Sequence, residues 1–204
     1  MDEMQTHNRV ILCGTPLSSP VFSHASRLEP FYTFPLEVAR LSGTVDTINV
    51  LLREELLPEL KPSRAGLIRI AGEVRSFNNH SGEGSKLVIS VFARELSPPE
   101  TPVWVNEVEL TGTLCKSPNR RTTPMGREIC DLMLAVNRRY GRADYLPCIA
   151  WGSLAQRCAE LGVGDGIRIE GRLQSRGYTK VVNGVSQPRT AYEVSIMRME
   201  PAGL

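Results

Sequence analysis

The sequence predicts an all-β chain of two tandem five-stranded barrels, each with a short helix between its third and fourth strands. Three observations carry this. First, the chain repeats itself. Asn8-Arg-Val-Ile-Leu-Cys-Gly14 returns as Asn106-Glu-Val-Glu-Leu-Thr-Gly112, an offset of 106 − 8 = 98. The same offset aligns Phe34-Pro-Leu36-Glu-Val38-Ala-Arg40 with Leu132-Met-Leu134-Ala-Val136-Asn-Arg138, and Asp46 with Asp144. One residue of slip then aligns Ile70-Ala-Gly72 with Ile169-Glu-Gly171. Second, apolar and polar residues alternate in short runs, the period of strands with one buried face. Third, 204 residues suit two domains of about 100 residues each.

The second copy shows the elements most clearly. Val108-Glu-Leu110-Thr-Gly-Thr-Leu114 and Ile129-Cys-Asp-Leu132-Met-Leu134-Ala-Val136 alternate as strands, and a third strand runs to Trp151. Next comes Ser153-Leu154-Ala-Gln-Arg-Cys158-Ala-Glu-Leu161-Gly162, with apolar residues at i, i+4 and i+7. That spacing makes an amphipathic helix, with Ser153 as its cap and Gly162 as its end. Ile167-Arg-Ile169-Glu-Gly171-Arg-Leu173 resumes the strand period. The first copy repeats the order: strands near 8–15, 32–41 and 45–52, a helix near 53–60, and strands near 66–77 and 85–96. Pro58 would kink or break that helix.

Ser97-Pro-Pro-Glu-Thr-Pro102 holds three prolines in six residues, a stiff extended spacer. The domains are therefore expected at 1–97 and 104–204, with a proline-rich linker at 98–103. Three strands, a helix and two strands is the order of the OB-fold, a small partly open Greek-key barrel. Gly72 and Gly171, inside strong strand patterns, fit a bulge or bend at a barrel corner.

Bulk composition narrows the function classes. No run of about 18 apolar residues is present, and the N-terminal Met1-Asp-Glu-Met-Gln-Thr-His lacks a signal region, so the expectation is a cytoplasmic protein with no membrane partner. Five cysteines form no Cys-x-x-Cys pair, which argues against a disulfide framework or zinc knuckle. Cys13, Cys130, Cys148 and Cys158 read as small buried hydrophobes. His7, His24 and His80 are scattered, outside the repeated core and apart from the cysteines. No metal, cofactor or catalytic base is expected, so the chain does not read as an enzyme. Asp46 and Asp144 read as turn carboxylates at strand starts. Gly162-Val-Gly164-Asp-Gly166 follows a helix and leads into a strand, the reverse of a phosphate loop, and reads as a turn.

Charge divides unequally. Residues 1–102 carry 10 Lys/Arg against 12 Asp/Glu, a net of −2, and residues 103–204 carry 14 against 10, a net of +4. In the second copy Lys116, Arg120, Arg121 and Arg127 lie between the first two strands, and Arg138, Arg139 and Arg142 between the second and third. Loops there frame the groove of an OB barrel, where arginines neutralise phosphate without reading sequence. Tyr145 and Trp151 share one face of the third strand by period two. Tyr178 follows the fourth strand's core, flanked by Arg176 and Lys180. Rings beside guanidinium groups on a groove suit stacking of single-stranded bases.

At this point the second copy resembles the bacterial single-stranded DNA-binding protein (SSB) family. The resemblance rests on Asn106-x-Val-x-Leu-x-Gly112, Ala135-Val-Asn-Arg138, Ala150-Trp-Gly-x-Leu-Ala155 and Gly164-Asp-x-Ile-x-Ile-Glu-Gly-Arg-Leu-Gln174. It covers residues 104–200. It implies an OB-fold that wraps single-stranded DNA in replication, recombination and repair, in the cytoplasm with the nucleoid, without a cofactor. By position it implies stacking at Tyr145, Trp151 and Tyr178, with Arg172 in the matched strand. It also implies four OB domains per assembly, hence a homodimer, and replication or repair proteins as partners. The family's acidic tail has no counterpart after Met199-Glu-Pro-Ala-Gly-Leu204.

The first copy resembles the family weakly. Thr47 stands in place of Tyr145 and Arg53 in place of Trp151, with Phe31 or Tyr32 placed to compensate and Phe77 near the position of Tyr178. It reads as a diverged OB domain. The alternative reading is a replication-restart type of protein adaptor with weak DNA binding.

Overall fold

The computed structural model describes residues 7–79, 87–138, 141–182 and 184–202. They form two units. One gathers residues 9–75 and 89–107, the other residues 7–8, 76–79, 87–88 and the described part of 108–202.

The N-terminal barrel is built from β1 (Asn8–Pro16), β2 (Val21–Ser26), β3 (Glu29–Ala39), β4 (Val45–Arg53), a 3-10 helix (Glu54–Glu59), β5 (Ile68–Asn78) and β6 (Leu87–Ser97), of which the ends of β5 and β6 toward 76–88 group with the other unit. Its hydrogen-bonded order is β1-β3-β4-β6-β5 and back to β1. The β1–β3 pairing at Thr15↔Glu37 closes the ring, and β4–β6 is a parallel pair. The C-terminal barrel is built from β7 (Val105–Leu114), β8 (Asn119–Thr122), β9 (Glu128–Asn137), β10 (Ala143–Trp151), helix α1 (Ser153–Ala159), β11 (Gly166–Val182) and β12 (Val185–Pro201). Its order β7-β9-β10-β12-β11-β7 is the same, closed at Thr113↔Ala135 and with β10–β12 parallel. The chain is all-β, and this is the order of the OB barrel in both copies.

Alternation explains what fills each barrel. Phe34, Leu36 and Val38 on β3 and Ile48, Val50 and Leu52 on β4 are buried, while Pro35, Glu37 and Asn49 between them are not. Leu132, Leu134 and Val136 on β9 and Leu146, Cys148 and Ala150 on β10 repeat this pattern at the offset of 98. Truncating such a fully buried leucine to alanine costs about 2–5 kcal/mol.

Four glycines let the strands cross. A Cβ on Gly14 would lie 2.2 Å from the Glu37 carbonyl oxygen, and one on Gly112 would lie 2.5 Å from that of Ala135. The corresponding distances are 2.1 Å from Gly72 to Phe92 and 2.2 Å from Gly171 to Ser195. Real Cβ atoms do not approach backbone oxygens this closely, so no other residue fits without moving a strand. The β11–β12 register shifts between Glu170 and Gly171, at the last of these crossings, where the sequence led us to expect a bulge or bend.

Several local expectations are corrected. Asp46 and Asp144, expected as turn carboxylates at strand starts, are the second residues of β4 and β10, and both are buried and gripped by the arginine six residues earlier. Arg40 donates two bonds of 2.6 Å to Asp46. Arg138 donates through Nε to Asp144 at 2.5 Å, with a second bond through its terminal nitrogen. Asp144 also accepts the Ser76 backbone N–H at 2.7 Å, and the Ser76 carbonyl accepts from Arg138 at 3.1 Å. A buried carboxylate needs this full set of donors.

Ser153 is the first residue of α1, not its cap. Gly152 takes the cap position with φ +57 and no side-chain bond, and Ala155 and Cys158 form the buried side. In the first unit the corresponding segment is only a 3-10 helix, with Pro58 inside it. Short strands β2 and β8, which pair with β3 and β9 as outlying hairpins, are absent from the sequence reading. Their exposed residues carry no alternating burial signal.

Candidate nucleic-acid interface

In the C-terminal unit, β10 turns Asp144, Leu146, Cys148 and Ala150 inward, so Tyr145 and Trp151 face out. They remain 50% and 39% exposed, large for aromatic rings, and thus available for stacking. Register extends this face sideways. Trp151 lies opposite Ile129, which lies opposite Arg121 on β8. Ile149 lies beside Ser195 on β12, and Ser195 opposite Arg172 on β11. Period two along β11 then adds Gln174, Arg176, Tyr178 and Lys180 to the same face. Tyr178, opposite Arg189, is half-buried; Arg176 and Lys180 are exposed.

The structure therefore brings Tyr145, Trp151, Tyr178, Arg121, Arg172, Arg176 and Lys180 onto one sheet face. Lys116, Arg127 and Arg142 are exposed in the flanking turns and, among the described residues, make no ion pair. Two residues read as phosphate contacts lie elsewhere. Arg138 is spent on Asp144, with its guanidinium also 5.8 Å from the Phe77 ring centre. Arg120 alternates to the other side of β8, where it meets Glu128 at 2.5 Å. Gln156 of α1 donates to the same carboxylate at 2.8 Å, and these two bonds, that of Gln156 first, hold the Glu128 carboxyl below its ordinary range. Arg139 lies outside the described residues.

The electrostatics of the face are mixed. Arg121 forks onto Asp131 at 2.6 and 3.2 Å, and that bond raises the guanidinium's pKa above its ordinary value. Glu193, buried on β12, accepts from Gln174 at 3.1 Å and lies 3.9 Å from Arg176.

The N-terminal unit carries a ring cluster that sequence reasoning only half anticipated. Phe31 on β3, opposite Arg53, stacks on His24 of β2 with centres 5.0 Å apart and planes 8° from parallel. Phe92 on β6 lies 6.1 Å from Phe31, and the Arg94 guanidinium sits 4.5 Å over the Phe92 ring. Both distances are within the range of favourable aromatic and cation–π contacts. Thr47 is exposed on this face, and Arg53 is turned to Glu29 and Glu55 at 3.5 and 3.6 Å. Phe92 and Arg94 were missed because a comparison at fixed offset looks only where the other copy has rings. The alternation Val91-Phe-Ala-Arg94, read by itself, marks both as outward.

Among the described residues no group of three or more His, Cys, Asp or Glu is arranged to hold a metal ion. No helix among them is long and apolar enough to cross a membrane.

Comparison with known proteins agrees with this architecture. The Single-strand binding protein family model matches residues 105–202. The single-stranded DNA-binding protein of Thermus thermophilus is 36% identical over 106 residues, which cover 50% of this chain and 39% of that protein. Single-stranded DNA-binding protein A of Bacillus subtilis is 37% identical over 81 residues, covering 36% of this chain and 47% of the relative. The chain thus matches less than half the length of these relatives. The crystal structure of the wild-type single-stranded DNA binding protein from Thermus aquaticus superposes with a TM-score of 0.76 at 26% identity, covering 98% of this chain and 94% of that one. The C-terminal barrel thus matches the Single-strand binding protein family over residues 105–202, and the two-barrel fold is shared with the Thermus aquaticus protein along nearly the whole chain.

Proposed function

We propose that the chain binds single-stranded DNA without sequence preference, serving replication, recombination and repair by coating exposed strands. The observation that carries the reading is the single outward face on which Tyr145, Trp151 and Tyr178 share a sheet with Arg121, Arg172, Arg176 and Lys180. Bases stack on the rings, and phosphates are neutralised by these cations with Lys116, Arg127 and Arg142 at the margins. Binding of this kind needs no covalent step and no cofactor. Arg138 and Arg120 support the fold of the binding barrel instead of touching the strand. The domains divide at the 98–103 spacer, and the His24–Phe31–Phe92–Arg94 cluster gives the N-terminal barrel a smaller stacking platform of its own. Two chains would assemble four barrels, and that homodimer is the form we assign in the cytoplasm.

Titration of the chain with poly-dT at two salt concentrations tests the reading. Affinity falls steeply with salt, and tryptophan fluorescence is quenched in a Trp104→Phe background that leaves Trp151 as reporter. Absence of binding at low salt would remove the reading and leave a protein adaptor of the replication-restart type, which loss of the stacking residues at Thr47 and Arg53 would suit.

A further inference from the structure

The cations of the binding face fall into two classes. Lys116, Arg127, Arg142 and Lys180 make no ion pair among the described residues, whereas Arg121 is forked onto Asp131 and Arg176 lies beside Glu193. Both carboxylates are on the face itself. Asp131 shares the row of Ile149, Ser195 and Arg172, and Glu193 is the next outward residue along β12 from Ser195. Glu193 also lies close enough to Arg121 to act on it electrostatically. A planar guanidinium bonded through Nε and a terminal nitrogen presents the same fork to a phosphate as to a carboxylate. Asp131 thus stands where a phosphate of a bound strand would be held, and Glu193, buried beside Arg176, draws on the second arginine from beneath.

Resting on the single-stranded DNA reading above, we propose that Asp131 and Glu193 are built-in competitors of DNA, setting its affinity and its release from this face. An entering phosphate takes Arg121 only by displacing Asp131, and the freed carboxylate then recruits a solution cation. The exchange releases one counterion from the DNA and binds one at the protein, so the paired arginines contribute affinity with almost no salt dependence. The unpaired cations carry the salt dependence. A face built this way holds the strand more weakly than its arginine count implies and lets a displacing protein strip it more easily.

The test is the salt dependence of dT-oligonucleotide binding by the full chain, read by fluorescence from about 50 to 300 mM NaCl, where single-strand binding loses about 0.7 in log–log slope per phosphate neutralised. Asp131→Asn, which keeps the shape and removes the charge, binds roughly two- to fivefold tighter at low salt, the scale of an exposed ion pair. Its slope steepens by about 0.7, one phosphate contact. Glu193→Gln moves in the same direction. Glu128→Gln makes the same charge change on the far side of the β8–β9 ribbon and leaves affinity and slope at the wild-type values. Unchanged or weaker binding by Asp131→Asn, with an unaltered urea midpoint, overturns the proposal, because the carboxylate would then be orienting Arg121 for the strand. Equal gains in Asp131→Asn and Glu128→Gln overturn it too, since net charge alone would explain them. A wild-type chain that binds no oligonucleotide at low salt would fail the underlying reading, a result distinct from either.

Discussion

Arg138 and Arg142 stand four residues apart in one basic turn, yet the fold assigns them different work. Arg138 covers a carboxylate that is fully buried, and Arg142 is exposed in solvent. Removing one partner of a buried pair leaves the other charge unsatisfied, at about 3–5 kcal/mol. Asp144→Asn is therefore expected to lower the urea unfolding free energy by about that amount, and Arg138→Ala to destabilise comparably. Arg142→Ala should leave the unfolding midpoint in place and weaken oligonucleotide binding, with a slope shallower by about 0.7. The pairing was written in the repeat, since Arg40 and Arg138, and Asp46 and Asp144, recur together at one offset. Charge in a turn reads as solvated until a second copy shows an arginine and an aspartate kept at the same spacing. Alternation separates Arg120 from Arg121 in the same way, but only once β8 is recognised as a strand.

At the scale of elements, the glycine crossings and the β11–β12 hairpin shape the proposed binding face. Gly171 permits the barrel to close where β11 bends, and the same strand then runs outward to present Arg172, Arg176 and Tyr178. Gly171→Ala places a methyl group against the Ser195 carbonyl and is expected to destabilise the fold by about 1–3 kcal/mol, the usual scale of overpacking, measured as a fall in the urea midpoint. Tyr178→Ala should leave stability nearly unchanged and weaken binding by about 1–3 kcal/mol, one stacking increment. The five barrel strands of each copy were legible because each buries one face and so alternates. β2 and β8 were not, because ribbons exposed on both faces leave no such trace. The reduction of the first copy's helix to a 3-10 segment was legible in Pro58, which lies inside it, whereas the missing side-chain cap at Gly152 was not.

For the whole molecule, the duplication is equal in fold and unequal in surface. Both barrels share order, closure and crossings, while the stacking face of one is replaced in the other by the cluster around Phe31 and Phe92. The buried thiols report on both barrels at once. Cys13, Cys130, Cys148 and Cys158 are enclosed and Cys115 is partly accessible. A thiol reagent near neutral pH should label one cysteine rapidly in the native chain and all five after unfolding. Burial raises the Cys158 thiol from its ordinary 9.0 to about 11. A raised folded-state pKa gives stability that is complete below 9.0 and lost as pH climbs through about 11, so alkaline unfolding should begin in that window.

If DNA lies on the outer face of the C-terminal sheet, photo-crosslinking will find it there. Irradiating the full chain with a dT oligonucleotide containing 5-bromodeoxyuridine, then mapping the adducts by mass spectrometry, should place crosslinks at Tyr145, Trp151 and Tyr178. Fewer adducts should form at His24, Phe31 and Phe92. Efficient binding with adducts confined to residues away from both ring clusters would place the strand elsewhere and rule this face out.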